Sequence, residues 1–383
     1  MSELQSDRSL IERKKDRFLP EIAIVRFFCI FAVICVHASS VAIANYDPKA
    51  DSYFLVSFFN RFFKFGTPTF ILLSAFVYFN AYWKKEWQDI NWKRYVQTRL
   101  SFVLLPYVIF ATFYFPVRYI VNPINKSMNE MITLFFDQFW VGKTYFHLYF
   151  IIVILQFYLL FPLILWLFKK YDLLIRYAIP IGFVLQWAFY FLNLKFGWFE
   201  QRKGSVFLSY MSFYLLGAYL GVYYQQFRDG VLQAMSAIRK WFLVGAVILT
   251  TGLMLNYVVQ SYWIFAKVQK VSSLSIEAAW NFYLLPMSVL LIILAIRSTT
   301  FLSKRVLGYM QHLGARSFGI YLIHPFFLIV YRLYDAKGLS NLTYLIWIAG
   351  GFFFSFAASY LVIWFMERYI PFYSYLIGKI SNA

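Results

Sequence analysis

Long apolar stretches, separated by short polar segments, occupy most of this chain. An α-helix needs about 20 residues to cross the ~30 Å of bilayer hydrocarbon. The pattern therefore predicts an all-α, polytopic membrane protein with about ten transmembrane helices. The predicted spans lie at about residues 20–43, 57–81, 100–120, 146–168, 177–193, 205–225, 241–260, 278–297, 318–334 and 343–366.

The polar segments alternate between strongly and weakly basic ones. The strongly basic segments hold 22 of the 36 Lys and Arg residues, the others hold 13, and Arg26 lies inside the first span. The positive-inside rule then predicts that both termini are cytoplasmic. We expect a basic N-terminal segment (residues 1–19), one transmembrane domain (20–368) and a short cytoplasmic tail (369–383).

Composition and charge narrow the class further. Only 14% of the residues are charged, about half of the fraction in a soluble domain. The net charge of +19 falls in short runs between apolar stretches, which suits anionic membrane lipids and disfavours nucleic acid as a partner. The four histidines are scattered, so neither a metal site nor a prosthetic group is expected. The predicted location is the cell membrane.

Two ionisable residues stand out in the first span, where charge is costly. Arg26 and His37 are eleven residues apart, so on a helix they share one face and lie about 16 Å apart along the axis. One interpretation has Arg26 extending to the inner headgroups and His37 ending the helix. In the other, Arg26 holds an anionic ligand near the cytosol and His37 is a general base near the outside.

Further polar residues occur in three other spans. His147 opens the fourth span at the depth of His37, as an interfacial residue or as its partner. His324 in the ninth span is expected near the level of Arg26. Pro325 after it breaks the hydrogen-bond ladder, either as a packing kink or where the backbone lines a cavity. Arg61 and Lys64 stand near the outer end of the second span, where cations commonly anchor a helix.

Five segments in order along the chain carry a resemblance to a known family. They are Arg26 with His37, Phe70 to Phe76, Arg99 with Pro106-Tyr107, His147 to Phe150, and Ser317 to Pro325. Together they resemble the acyltransferase-3 family of integral-membrane acyltransferases, over essentially the whole chain. Ala75 stands where that family usually has Gly, and Tyr149 stands where it has Trp.

Three shorter segments further resemble one branch of that family: Phe65 to Pro68, Thr98-Arg99 with Pro106-Tyr107, and Leu216 to Tyr219. This branch contains the poly-N-acetylglucosamine intercellular adhesion C protein. Members of the branch have been regarded either as polysaccharide exporters or as O-succinyltransferases. Two functions therefore stay open for the chain: an acyltransferase, or a non-enzymatic exporter of a bacterial cell-surface polysaccharide. A membrane anchor without a substrate would leave the buried Arg and His unexplained.

The resemblance implies an acyl-CoA donor on the cytosolic side and a carbohydrate hydroxyl as acceptor outside. The activity would be the acetylation, succinylation or similar O-acylation of a surface or lipid-linked glycan, of the kind found in biofilms. Arg26 would pair with the donor phosphates and His37 would deprotonate the acceptor. A separate extracytoplasmic transferase or glycan synthase is a further expected partner. The residues expected to bind substrate are His147, His324, Ser74, Arg99 and Tyr321.

Overall fold

The computed structural model describes residues 19–45, 51–233, 237–334 and 341–380, and within these ranges the regular structure is helical with no strand. The predicted N-terminal segment lies almost wholly outside the described residues, as do the last three residues of the tail. The α-helices in chain order are α1 (Pro20–Asn45), α2 (Asp51–Phe62), α3 (Gly66–Tyr82), α4 (Trp92–Arg99), α5 (Leu105–Val121), α6 (Met128–Phe139), α7 (Tyr149–Lys170), α8 (Asp172–Arg176), α9 (Ala178–Phe196), α10 (Met211–Val222), α11 (Tyr224–Leu232), α12 (Ala237–Phe265), α13 (Ser273–Phe301), α14 (Lys304–Ala315), α15 (Ser317–Arg332), α16 (Asn341–Tyr369) and α17 (Tyr373–Ile377).

The described part of the chain contains eight helical stretches that are long and apolar enough to cross a membrane. A ninth is counted if α14 and α15, which meet at an angle of 69°, form one broken span. The predicted stretch 205–225 is a shorter apolar helix, Phe207–Val222. The all-α, polytopic prediction is therefore confirmed, while the count of ten spans stays a prediction.

Helix α1 is the centre of the bundle and is surrounded by α2, α3, α13, α14, α15 and α16. Apart from Glu21, Arg26, His37 and the residues near its C-terminus, its sequence is apolar around the whole helix, which is typical of a helix enclosed by others. Ile24, Val25 and Ile34 are completely buried. By contrast α12 is largely exposed, with Trp241 and Phe242 accessible, as expected of a helix that faces lipid.

The short helix α10 packs closely against α3 through two glycines. A Cβ on Gly217 would overlap the carbonyl of Leu72, and one on Gly221 would overlap the carbonyl of Phe76. The four-residue spacing of these glycines predicts such close packing, because small residues let helix backbones approach each other. The structure confirms this contact.

The bend between α14 and α15 is fixed at two points. Gly314 lies against the carbonyl of Ala23 in α1, where a side chain would not fit. Arg316, at the bend, forms an ion pair of 2.8 Å with Glu367 of α16. Helix α15 therefore begins beside the second turn of α1 and not at the end of the bundle.

Several strongly basic segments meet at the end of the bundle where α1 begins, called here the proximal end. Nε of Arg228 donates to Oε1 of Glu21 at 2.7 Å. Nζ of Lys169 donates to the carbonyl of Lys85. The C-terminal segment joins them, because α17 is followed by Lys379, which lies near Arg26.

Candidate functional site: two cavities along α1

The first cavity, called here the arginine cavity, opens beside Arg26 and has a volume of about 460 Å³. This size is ordinary for a small-molecule site. Its charged and hydroxyl-bearing lining consists of Arg26, Ser74, Tyr78, Thr98, Arg99, Tyr158, Ser317, Tyr321 and Lys379. Four residues that the sequence singled out, Arg26, Ser74, Arg99 and Tyr321, are thus brought into one cavity. Their roles stay predictions.

The arginine cavity is cationic. Arg26, Arg99 and Lys379 line it, and within the described residues none of the three forms an ion pair. The guanidinium of Arg99 lies 4.5 Å from the ring centre of Tyr78 and 5.5 Å from that of Tyr158. Such cation–π contacts hold a charge in place without neutralising it. The cavity is therefore suited to an anionic ligand.

The second cavity, called here the histidine cavity, lies further along α1. It is nearer to the end of the bundle opposite the proximal end, called here the distal end. Its volume is about 620 Å³. Its lining comprises His37, Ser40, the cations Arg61, Lys64 and Arg332, and the aromatic residues Phe63, Phe146, Tyr149, Tyr210, Tyr257 and Trp280. The structure thus places Arg61 and Lys64 in a cavity wall, where the sequence indicated only an anchoring role. Arg332 was missed altogether.

The aromatic side of the histidine cavity continues into a smaller space of about 240 Å³. Tyr210, Tyr257 and Trp280 line both. At its far side Nζ of Lys203 and Oε2 of Glu277 are 2.7 Å apart. An elongated ligand that lies against the aromatic wall can therefore extend beyond the histidine cavity.

Three histidines form a row between the two cavities. The ring centres of His37 and His324 are 5.2 Å apart, and those of His324 and His147 are 5.9 Å apart. The ring of His147 is in turn 5.3 Å from that of Tyr321, which lines the arginine cavity. His147 lies two residues before α7, and the ring of its neighbour Phe146 is 4.6 Å from that of His37, so His147 lies near the level of His37 as predicted.

The expected depth of His324, near Arg26, is wrong. The prediction assumed that the ninth span starts at the membrane surface, whereas α14 occupies that depth and α15 begins beside the second turn of α1. Ten residues separate Gly314, which touches Ala23 and lies near Phe27, from His324. Ten residues also separate Phe27 from His37. At about 1.5 Å per residue, both histidines therefore reach the same level.

Pro325 breaks α15 directly after His324, and the hydroxyl of Tyr114 occupies the break. That hydroxyl donates to the carbonyl of Leu322 at 2.8 Å and accepts from the amide of Phe326 at 3.1 Å. Those two backbone groups would otherwise bond to each other in an unbroken helix. Oγ of Ser355 donates to the carbonyl of His324 at 2.8 Å. The backbone groups near the proline thus find protein partners.

The hydrogen bonds of His324 define its tautomer. Its Nδ1 lies 3.1 Å from the carbonyl of Ile320, which can only accept, so Nδ1 carries the proton. Nε2 is then an acceptor, and it is buried without a partner within the described residues. Both ring nitrogens of His147 are also buried, and neither makes a hydrogen bond of good geometry within the described residues, although the backbone of Leu322 lies close to the ring. Buried polar atoms in this state are uncommon and concentrate at functional sites.

A thin wall of side chains separates the two cavities, which share no lining residue. On the arginine side it consists of Phe70, Phe150 and Tyr321, called here the dividing wall. The rings of Phe70 and Phe150 are 6.0 Å apart, and those of Phe150 and Tyr321 are 5.1 Å apart. Tyr149, the neighbour of Phe150, already faces the histidine cavity. Two adjacent residues, Tyr149 and Phe150, therefore face different cavities.

In the described part of the chain, no group of His, Cys, Asp or Glu side chains is arranged to hold a metal ion.

A bundle of apolar helices that encloses two cation-lined cavities defines a multi-pass membrane protein with an internal polar site. The family described as an acyltransferase domain matches residues 19–364. The chain therefore belongs to the acyltransferase-3 family, as its motifs predicted.

Curated relatives lie in the branch that the sequence resembles. One relative, named "Probable poly-beta-1,6-N-acetyl-D-glucosamine export protein", comes from Staphylococcus aureus (strain N315). It is 23% identical over 310 residues, which cover 78% of this chain and 79% of the relative. A relative of the same name from Staphylococcus epidermidis is 24% identical over 317 residues, with 79% of each chain covered. No solved structure matches the chain.

Proposed function

We propose that this protein is an integral-membrane O-acyltransferase. It moves an acyl group from a cytosolic acyl-CoA to a hydroxyl of an extracytoplasmic or lipid-linked carbohydrate. One observation carries the proposal: Arg26 and His37 lie on the same helix, and each opens into a different cavity on either side of a thin wall. Family membership supports the reaction class.

The proposed orientation places the proximal end and both termini in the cytosol of the cell membrane. It is supported by the basic segments that meet at this end, since cytoplasmic loops carry an excess of Lys and Arg. Ten spans follow if the short helix Phe207–Val222 and the α14–α15 pair each cross once. One transmembrane domain over residues 20–368 then supplies the lining of both cavities except for Lys379, which comes from the tail.

The arginine cavity is the proposed donor site. Coenzyme A carries phosphates, and charge-assisted hydrogen bonds from Arg26, Arg99 and Lys379 would hold them. The slender arm of the donor would then bring its thioester to the dividing wall. Ser74 and Tyr321 are hydroxyl-bearing groups at that wall, although the hydroxyl of Tyr321 already donates to the carbonyl of His147. No metal or prosthetic group takes part in the proposed reaction.

The histidine cavity is the proposed acceptor site. Its aromatic wall of Tyr210, Tyr257 and Trp280 suits the apolar faces of sugar rings. His37 would accept the proton of a sugar hydroxyl while its oxygen attacks the thioester carbon. The new carbon–oxygen bond forms, the carbon–sulfur bond breaks, and the imidazolium returns its proton to the departing thiolate. General base assistance of this kind contributes about 10²–10⁴-fold in rate.

His147 and His324 would position His37 and the acceptor. Both are almost completely buried, and His324 contacts the rings of both other histidines. The dividing wall serves the reaction by keeping bulk water from the thioester.

The relatives' names favour a second candidate, the export of a surface polysaccharide. A polymer chain needs a continuous path, whereas two cavities without a shared lining residue favour the transfer of a small group across a wall. Export would thus require the row of histidines and the dividing wall to separate.

Purified protein in liposomes separates the two candidates. Acyl-CoA is supplied on the proximal side and an oligosaccharide on the distal side, and both thiol release and oligosaccharide movement are measured. Thiol release coupled to acylated sugar supports acyl transfer. Movement of the sugar without consumption of the thioester supports export and overturns the proposal. Adding extracytoplasmic transferases or glycan synthases tests whether a partner completes the reaction.

A further inference from the structure

The distal end contains a cluster of cations that the proposed mechanism does not use. Arg61, Lys64 and Arg332 line the histidine cavity beside His37. No described residue of the cavity lining is a carboxylate. Within the described chain none of the three cations belongs to an ion pair. Like charges that share a space of low dielectric repel one another, so this arrangement is costly without a counter-ion.

Arg61 is the most unusual member of this cluster. It is only 8% exposed; its side chain hydrogen-bonds to Tyr257, but its Nε is buried and has no hydrogen-bond partner among the described residues. Its guanidinium lies 4.4 Å from the ring centre of Phe265, which supports the charge but leaves it unneutralised. A buried arginine is normally paired, because desolvation of an unpaired charge costs several kcal/mol. The described residues supply no counter-ion for Arg61, which points to an anionic ligand.

The other two cations are held in place from different elements. Lys64 lies in the short 3₁₀ turn Phe63–Phe65, and the hydroxyl of Tyr283 fixes that turn by donating to the carbonyl of Phe62 at 2.6 Å. Arg332 ends α15 and donates through Nη2 to the carbonyl of His37 at 2.5 Å. The three charges therefore converge on one cavity from separate parts of the chain.

We propose that Arg61, Lys64 and Arg332 form an oxyanion subsite next to His37 that binds a carboxylate or phosphate group of one of the two substrates. Arginine suits this chemistry because its planar fork matches the geometry of carboxylate and phosphate oxygens. The proposal rests on the proposed function in that the histidine cavity receives the reacting groups. Under this proposal, glycans whose only charged groups are free amino groups are poor ligands of the subsite.

Two sources can supply the oxyanion. It is either the far carboxylate of a dicarboxylic acyl group that arrives with the donor, or an anionic group on the acceptor. The first predicts that succinyl-CoA is preferred over acetyl-CoA with one neutral acceptor. The second predicts that a phosphorylated oligosaccharide is preferred over its neutral counterpart with acetyl-CoA.

Initial rates for these pairs are measured with the wild-type protein and with Arg61→Gln, Lys64→Gln and Arg332→Gln. We expect the preference for the anionic substrate to fall by about 10- to 100-fold in each variant. The fall should occur in one comparison only, either succinyl-CoA against acetyl-CoA or the phosphorylated against the neutral oligosaccharide. The readout is the ratio of the anionic to the neutral rate and not the neutral rate alone, because the three cations line the proposed acceptor cavity and Arg332 also bonds to the carbonyl of His37. Lys195→Gln, an exposed cation that lines neither cavity, is the matched control and should keep the preference.

A wild-type protein that prefers no anionic substrate in either arm overturns the subsite, as do variants that slow every pair equally. Lys64 is only half-buried, so Lys64→Gln is expected to fold and keeps the test decisive even if Arg61→Gln does not fold. A binding assay separates this failure from that of the proposed function. Succinate or inorganic phosphate should raise the melting temperature of the wild-type and Arg26→Gln proteins by more than that of Lys64→Gln. Equal shifts in all three overturn the subsite whether or not acyl transfer occurs.

Discussion

The arginine and histidine cavities share a cationic lining but differ in the groups that stand beside the charges. In the arginine cavity Arg99 is surrounded by tyrosine rings, and none of its lining residues is a histidine. In the histidine cavity the cations stand next to His37, whose neutral ring can accept a proton. The difference indicates that one cavity holds its ligand, whereas the other can both hold a ligand and act on it.

The largest effect is expected from His37→Ala. Removal of the proposed base should lower acyl transfer by about 10²–10⁴-fold with little change in the KM for acyl-CoA. His312→Ala is the matched control, because His312 lies outside the row of histidines, with its Nε2 3.1 Å from the hydroxyl of Tyr360. Steady-state rates of the purified variants in liposomes provide the measurement. If His37→Ala keeps full activity, the assignment of the chemistry to the histidine cavity is wrong.

Arg26→Gln should affect the other cavity alone. Loss of a charged contact to the donor is expected to raise the KM for acyl-CoA by about 10- to 100-fold and to leave the KM for the acceptor unchanged. Arg305 lines neither cavity, so Arg305→Gln is the control. The two Michaelis constants are measured separately by varying one substrate at a time. An equal rise in both would remove the distinction between a donor cavity and an acceptor cavity.

Gly314→Ala tests the packing of α14 against α1, the helix that lines both cavities. The added methyl group would meet the carbonyl of Ala23 and push α14 away from α1, at a cost of about 3 kcal/mol. A Cβ on Gly308, in the same helix, would meet nothing within 4 Å, so Gly308→Ala should be neutral or slightly stabilising. Thermal unfolding in detergent compares the two variants. Equal melting temperatures would argue against the close packing of α14 on α1.

Tyr114→Phe should have the smallest effect, confined to the row of histidines. Loss of the hydroxyl leaves the carbonyl of Leu322 and the amide of Phe326 without their buried partner, which costs about 1–2 kcal/mol. We expect a lower melting temperature and a lower kcat, with an unchanged KM for acyl-CoA. Tyr119→Phe, which removes a partly exposed hydroxyl bonded to Gln138, is the control. A rise in the KM for acyl-CoA would show that the broken helix also shapes the arginine cavity.

Some parts of this site follow from local regularities in the sequence, and others do not. Arg26 and His37 share a helix, so a constant rotation per residue predicts their common face. His324 was assigned to the wrong level because the sequence does not reveal that α14, which precedes the predicted ninth span, already packs against the start of α1. Arg61 and Lys64 appeared to be anchors because a cation near a helix end has the same sequence pattern whether it meets lipid or a cavity.

The sequence by itself determined the class of the protein, the positions of most of its apolar helices and the family to which it belongs. These properties depend on runs of about 20 residues and on short motifs, which are local. Only the tertiary structure decided which side chains share a cavity. Arg332 and the carbonyl of His37 are 295 positions apart, and Tyr114 and Phe326 are 212 positions apart. Contacts of this range arise from the packing of whole helices, so no pattern along the chain records them.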